Sequence, residues 1–412
     1  MPMPLSSAPS SASIFAADTA SQAGSRLVVA LCFATAMIEG FDIQAMGVAA
    51  PTMLPALGLS PAQAGWAFSA SLFGLMLGAA IGGYFADIKG RRPVLILSTL
   101  IFGLMTIATA LTHDYLLLLA VRVAAGVGLG GAMPMVVAIS AERAAANARV
   151  LTVAFATAGM PLGAVIAGLL ARFAHGPDVW QLIFWVGGAG ALVLMLFQFW
   201  LLPETRAPMP PRAPAERVVP SRTGVMLLAL TWTSIGLISL MLHLMLNWLP
   251  TLLTGKGAAP TTGMDALVLF NVGGMIGAVV LGGWVDRRGF RWAIPIACVA
   301  LSILLLILAG AQSMVAMSLL GLGTGFCVVG SQFTLYGAAS TFFRGAVRGR
   351  GVGSSVAAGR FGSALGPLVA GQLLALGVGS ENVFRLLAPV ALLAALTIFL
   401  LSYVAPRQDA VI

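Results

Sequence analysis

Charge is scarce in this chain of 412 residues: 8% are Asp, Glu, Lys or Arg, against 59% hydrophobic. A water-facing protein carries roughly 25% charged residues, so a soluble surface is excluded and the bilayer becomes the solvent. Cysteine is scarcer still. Cys32, Cys298 and Cys327 lie far apart inside apolar runs and are odd in number, so neither a disulfide framework nor a metal site follows. Three scattered His add no cluster, and with no nucleophile–base or metal constellation an intramembrane enzyme is not expected. No metal and no cofactor is expected. Positive charge is missing before Arg26, in a stretch rich in Ser, Ala and Pro, so residues 1–25 read as a disordered cytoplasmic tail, not a cleavable signal.

What the chain has instead is length in apolar runs. They fall at 27–51, 64–86, 93–111, 115–139, 150–172 and 179–202, then at 224–249, 264–285, 292–310, 314–337, 351–375 and 382–404. At about 20 residues per crossing these are twelve transmembrane helices, and 49 glycines suit helices that must approach closely in lipid. Residues 203–223 carry Pro208, Pro210, Pro211, Pro214 and Pro220, a density no helix survives. The expected organisation is therefore an N-terminal six-helix bundle over 26–202, a cytoplasmic linker over 203–223, a C-terminal six-helix bundle over 224–404 and a cytoplasmic tail over 405–412.

Cations set the orientation. With both termini placed inside, seventeen Lys and Arg fall on the cytoplasmic side and only Arg172, Lys256 and Arg385 on the other. The sequence pI of about 10.5 is thus a topology signal and not a nucleic-acid footprint. The halves also repeat. Gly83-Tyr84-Phe85-Ala86-Asp87 with Gly90 and Arg91 recurs as Gly282-Gly283-Trp284-Val285-Asp286 with Gly289 and Arg291, and Gly163–Gly168 is echoed by Gly366–Gly371. Two pseudo-symmetric bundles around a central cavity are expected of an alternating-access transporter.

These residues resemble the major facilitator superfamily over essentially the whole chain. Gly83 to Arg92 is similar to its cytoplasmic gate motif, Arg122-Val123-Ala124-Ala125-Gly126-Val127-Gly128 and Gly159-Met160-Pro161-Leu162-Gly163 match in spans four and five, and Pro203-Glu204 closes span six. Glu39-Gly40-Phe41-Asp42 in the first span resembles the acidic signature of the aromatic acid:proton symporters, whose first position is more usually Asp. Asn247-Trp248-Leu249-Pro250 and Gly359-Arg360-Phe361-Gly362 through Gly366-Pro367 also fit, most closely the branch that carries 3-(3-hydroxyphenyl)propionate. The resemblance implies proton symport of a small aromatic carboxylate across an inner membrane.

Four charges lie well inside the runs, where each costs roughly 2.5–3.5 kcal/mol or more: Glu39, Asp42, Arg122 and Arg360. Glu39 and Asp42, three apart, share a helix face; both cannot ionise cheaply in low dielectric, so they are the proton-coupling candidates, with a plain polar helix contact as the alternative. Arg122, on a stripe with Gly126 and Gly130, needs an anion, either Glu39 or Asp42, and is the third proton-coupling candidate, expected to release that anion when a proton arrives, with a permanent structural ion pair as the alternative. Arg360 has no intramembrane acid in its own half and is expected to take a substrate carboxylate in a bidentate fork, or else to pair with carbonyls or an acid across the bundle. His243, Asn247 and Gln332 are further substrate-binding candidates, although a lone membrane His is often a structural hydrogen-bond partner. Trp66, Phe73, Phe184, Trp232 and Phe270 could wall a ring or simply pack or face lipid.

Gly83, Asp87, Gly90, Arg91 and Arg92, echoed by Asp286, Arg287 and Arg288, with Glu142 joining the first cluster, form an expected cytoplasmic gate that latches the outward-open state, with cations that only set topology as the alternative. Gly159, Pro161 and Gly163, with Gly366 and Pro367, are expected hinges or packing sites, Pro161 bending its helix at the outer mouth. The preferred reading is import of an aromatic carboxylic acid, hydroxyphenylpropionate- or hydroxybenzoate-like, with protons, by a monomer in the lipid bilayer. A proton-driven exporter of a drug or metabolite is the alternative, and a transport-inactive sensor a remote one.

Overall fold

The computed structural model describes the backbone of residues 11–144, 149–204, 222–343 and 348–404, and the side chains of most of these. The linker arginines Arg206, Arg212 and Arg217 and the tail 405–412 lie outside the described residues. Thirteen helical segments occur among them: α1 (Ser11–Ala56), α2 (Pro61–Lys89), α3 (Arg91–Ala110), α4 (Tyr115–Arg143), α5 (Arg149–Thr157), α6 (Gly159–Phe173), α7 (Val179–Leu201), α8 (Arg222–Gly255), α9 (Pro260–Arg288), α10 (Phe290–Gly310), α11 (Met314–Phe342), α12 (Arg348–Ala375) and α13 (Ser380–Val404). Since α5 and α6 are two parts of one rod, twelve rods cross the membrane. Eleven are long and apolar enough by composition alone; the twelfth, α12, is more polar because it carries Arg360 into the centre. One expectation needs correcting: the backbone of residues 11–25, read as a disordered tail, is helical and continues α1.

Local chemistry sets the rod ends. Ser60 and Gln63 form a capping box: Ser60 Oγ accepts from the Gln63 N–H at 3.3 Å, and Gln63 Oε1 accepts from the Ser60 N–H at 2.9 Å. Asp114 caps α4 by accepting the Leu117 N–H at 2.9 Å. The turns from α2 to α3 and from α9 to α10 each take a single residue, Gly90 at φ +91° and Gly289 at φ +76°, a left-handed backbone that side chains disfavour.

Within each half, glycine brings the rods into backbone contact. A Cβ on Gly74, Gly78 or Gly126 would strike the carbonyl of Val123, Val127 or Ser71, welding α2 to α4. In the second half Gly273, Gly277 and Gly325 stand the same way against Leu322, Phe326 and Phe270, between α9 and α11. Likewise Gly159 and Gly163 of α6 press on Phe33 and Met37 of α1, as Gly362 and Gly366 of α12 press on Gly236 and Leu240 of α8. The repeat in sequence is a repeat in packing.

Twelve alternating rods put both termini on one face. The described side-chain hydrogen bonds that cross between halves all lie toward the opposite face. Gln44 Nε2 donates to the Leu246 carbonyl at 2.8 Å, Asn271 Nδ2 to Gln44 Oε1 at 3.4 Å, Ser69 Oγ to the Ala364 carbonyl at 2.6 Å and Arg172 Nε to Asp265 Oδ1 at 2.8 Å. The halves are thus closed on the face away from the termini.

Candidate transport site between the two halves

From the level of Glu39 toward the terminal face, the halves enclose a cavity of about 570 Å³. α2 and α4 supply apolar walls, among them Leu75, Met76, Met133 and Val137, and α12 supplies Val356 and Ala357. Two charged side chains line it, Glu39 of α1 and Arg360 of α12. Glu39 is fully buried, and neither of its carboxylate oxygens has a hydrogen-bond partner. Half-buried Arg360 lines the same cavity from the other half. The acid that shares the cavity with Arg360 belongs to the other half.

Asp42 sits three residues on in a different setting. Its Oδ1 accepts from Thr106 Oγ1 at 2.6 Å, and its Oδ2 pairs with Arg122 Nη2 at 3.3 Å. Arg122 Nε donates to Ser71 Oγ at 2.8 Å, and its guanidinium lies 5.6 Å from the Phe184 ring centroid. Both charges are 1% exposed, and the residues around the pair come from five helices, α1, α2, α3, α4 and α7. Of the two partners the sequence left open for Arg122, the structure selects Asp42. Gly126 and Gly130 bring α4 onto Ser71 and Leu75 as the stripe implied.

The remaining substrate-binding candidates do not share the cavity. His243 sets Nδ1 against the Ser239 carbonyl at 3.0 Å, and Gln332 exchanges hydrogen bonds with Ser239 Oγ at 2.8 and 3.1 Å. Both are anchored to one turn of α8. Asn247 Nδ2 donates to the His243 carbonyl at 2.8 Å, and Asn247 lines a water-sized pocket of about 10 Å³ with Arg122. Among the aromatics, Trp66 and Trp232 are exposed on the bundle surface, while Phe184 and Phe270 are fully buried in the packing.

At the terminal face Arg91 pairs with Glu142, drawing α3 to α4 inside one half. Arg92 Nη2 donates to the Phe199 carbonyl at 2.6 Å. Asp286, Arg287 and Arg288 are exposed at the end of α9, and Gly83, Gly282 and Gly283 leave open space where a side chain would go. Pro161 requires a correction. The rod breaks at Ala158, near the level of Glu39 and not at the outer mouth, because Pro161 has no N–H for the Thr157 carbonyl. Pro367 leaves α12 unbroken, and its carbonyl accepts from Trp248 Nε1 at 2.9 Å.

Several residues were missed by scanning for charge inside spans. Ser71 and Thr106 complete the Asp42–Arg122 network, Gln44 and Asn271 bridge the halves, and Arg172 with Asp265 forms an ion pair across them. The only signal in sequence was a polar residue inside or at the edge of an apolar run.

Comparison with known proteins adds the family. Residues 32–347 match the model of the Major Facilitator Superfamily. The chain is 37% identical over 401 residues to the 3-(3-hydroxy-phenyl)propionate transporter of Escherichia coli (strain K12), covering 95% of this chain and 99% of that one. It is 32% identical over 409 residues to the gallate transporter of Pseudomonas putida, covering 90% of each. Its fold superposes on a D-xylose–proton symporter with a TM-score of 0.77 at 18% identity, over 93% of this chain and 98% of the other. The chain belongs to the Major Facilitator Superfamily, as a multi-pass membrane transporter related to carriers of aromatic acids.

Proposed function

We propose that this transporter imports a small aromatic carboxylate together with protons, by alternating access, as a monomer in a cytoplasmic membrane with both termini inside. One observation carries the reading: a central cavity whose charged lining is one arginine from one half and one unpartnered, fully buried carboxylate from the other. The names of the relatives supply the class of cargo, and the distribution of cations supplies the orientation.

Charge balance gives the coupling. Arg360 and ionised Glu39 neutralise one another, so a carboxylate that binds Arg360 leaves one negative charge in excess in a low-dielectric space. A proton on Glu39 removes the excess, and the halves then close around a neutral pair. On the cytoplasmic side the proton leaves Glu39, whose restored charge repels the substrate from Arg360. The Asp42–Arg122 pair is balanced within itself, and a proton reaching Asp42 releases Arg122. No cofactor enters the cycle.

The test uses purified protein in liposomes of known orientation with labelled 3-(3-hydroxyphenyl)propionate. A pH gradient is expected to drive accumulation that a protonophore abolishes. Glu39→Gln is expected to lose accumulation while keeping exchange, and Arg360→Ala to lose binding of the acid more than of its amide. Full accumulation by Glu39→Gln, or accumulation indifferent to the protonophore, would overturn the proposal.

A further inference from the structure

We infer that Glu39 is also the group that selects substrates bearing a ring hydroxyl, by accepting its hydrogen bond. The inference rests on the aromatic-carboxylate reading above and adds a specificity to it.

With the substrate carboxylate on Arg360, the ring must lie along walls built from Leu75, Met76, Met133, Val137 and Val356, none of which offers a polar side-chain atom. Glu39 is the other polar side chain among the described residues that line the space. Both of its oxygens lack a donor although the residue is 0% exposed. A buried acceptor without a donor is an uncommon, costly arrangement, and it marks a place where something else completes the bond. A phenolic O–H is a donor of the right kind, and the cavity of about 570 Å³ is within the range of small-molecule sites.

The assignment is compatible with proton transfer at the same residue. Ionised Glu39 accepts with either oxygen; protonated Glu39 keeps one oxygen as acceptor while its own O–H can turn to the substrate. The hydroxyl contact therefore persists through the cycle. Sites built to hydrogen-bond a substrate hydroxyl discriminate strongly against the analogue lacking it, because their buried polar groups are then left unpaired.

Titration calorimetry on the purified transporter, comparing 3-(3-hydroxyphenyl)propionate, its methyl ether and 3-phenylpropionate, reads this directly. The hydroxylated acid is expected to bind at least about tenfold tighter than either analogue. In Glu39→Met, which keeps length and removes both oxygens, the preference is expected to fall to about twofold or less, with 3-phenylpropionate still bound. Glu39→Gln, which keeps an acceptor oxygen, is expected to retain an intermediate preference and guards against a misfolded Met variant. A preference undiminished in Glu39→Met, or absent from the wild type while all three acids bind, would overturn the inference alone. Binding of none of the acids by the wild type would overturn the reading beneath it.

Discussion

Glu39 and Asp42 are one helical turn apart, yet one is satisfied and the other is not. Asp42 spends both oxygens, on Thr106 and Arg122, whereas Glu39 spends neither. The two positions therefore answer differently to substitution. Removing one member of a buried ion pair leaves the other charge uncompensated, at a cost of about 3–5 kcal/mol. Arg122→Ala is expected to destabilise the protein by that order, whereas Arg360→Ala, which faces the cavity, should leave thermal unfolding in detergent nearly unchanged while weakening acid binding. The double change Arg122→Gln with Asp42→Asn should recover much of the loss, since no charge is then stranded. An Arg122→Ala protein as stable as the wild type would show that the pair does no structural work.

At the scale of elements, the rods hold together where backbone meets backbone. A Cβ on Gly163 would strike the Met37 carbonyl in the middle of the α1–α6 contact, whereas one on Gly83 meets nothing within 4 Å. Gly163→Val is therefore expected to lose folded protein, with a melting temperature lowered by several degrees, and Gly83→Ala to keep it; equal melting temperatures would contradict the packing argument. Such contacts explain what could be read from the chain. Hydropathy located the rods because lipid makes each one declare itself over about 20 residues, and the recurring glycines declared the two halves. The four central charges stood out because charge inside a span is costly unless a partner or a cavity receives it. What stayed hidden depends on rotation and on distance along the chain. Three-residue spacing put Glu39 and Asp42 on one face but could not tell which of them turns toward Arg122. The break at Ala158 was misplaced because Pro161 fixes where a hydrogen bond is lost, not how deep in the membrane that point lies. Gln44 and Asn271, 227 positions apart, carry no charge and gave no reason to be paired.

Across the whole molecule, the contacts between halves gather toward one face, and among those described Arg172–Asp265 is the ion pair between them. It joins the end of α6 to the start of α9 at 2.8 Å, with its side chains 33% and 45% exposed. At that exposure a pair contributes about 0.2–1 kcal/mol. That is negligible for folding, but in a two-state equilibrium it shifts the ratio of the closed to the open face by about 1.4- to 5-fold. The partners belong to different halves, so the pair exists only while this face is shut. Reversing either charge, as Arg172→Asp or Asp265→Arg, replaces attraction by repulsion and is expected to favour opening there. The swapped double variant should restore the original balance. Spin labels placed on the two halves at this face read the ratio as a distance distribution: longer distances are expected in each single reversal, with near-wild-type distances in the swap. Because the pair is half in water, 1 M salt should shrink all three differences. Distances unmoved by the single reversals would mean that the amide and backbone contacts of Gln44, Asn271 and Ser69 close this face without it.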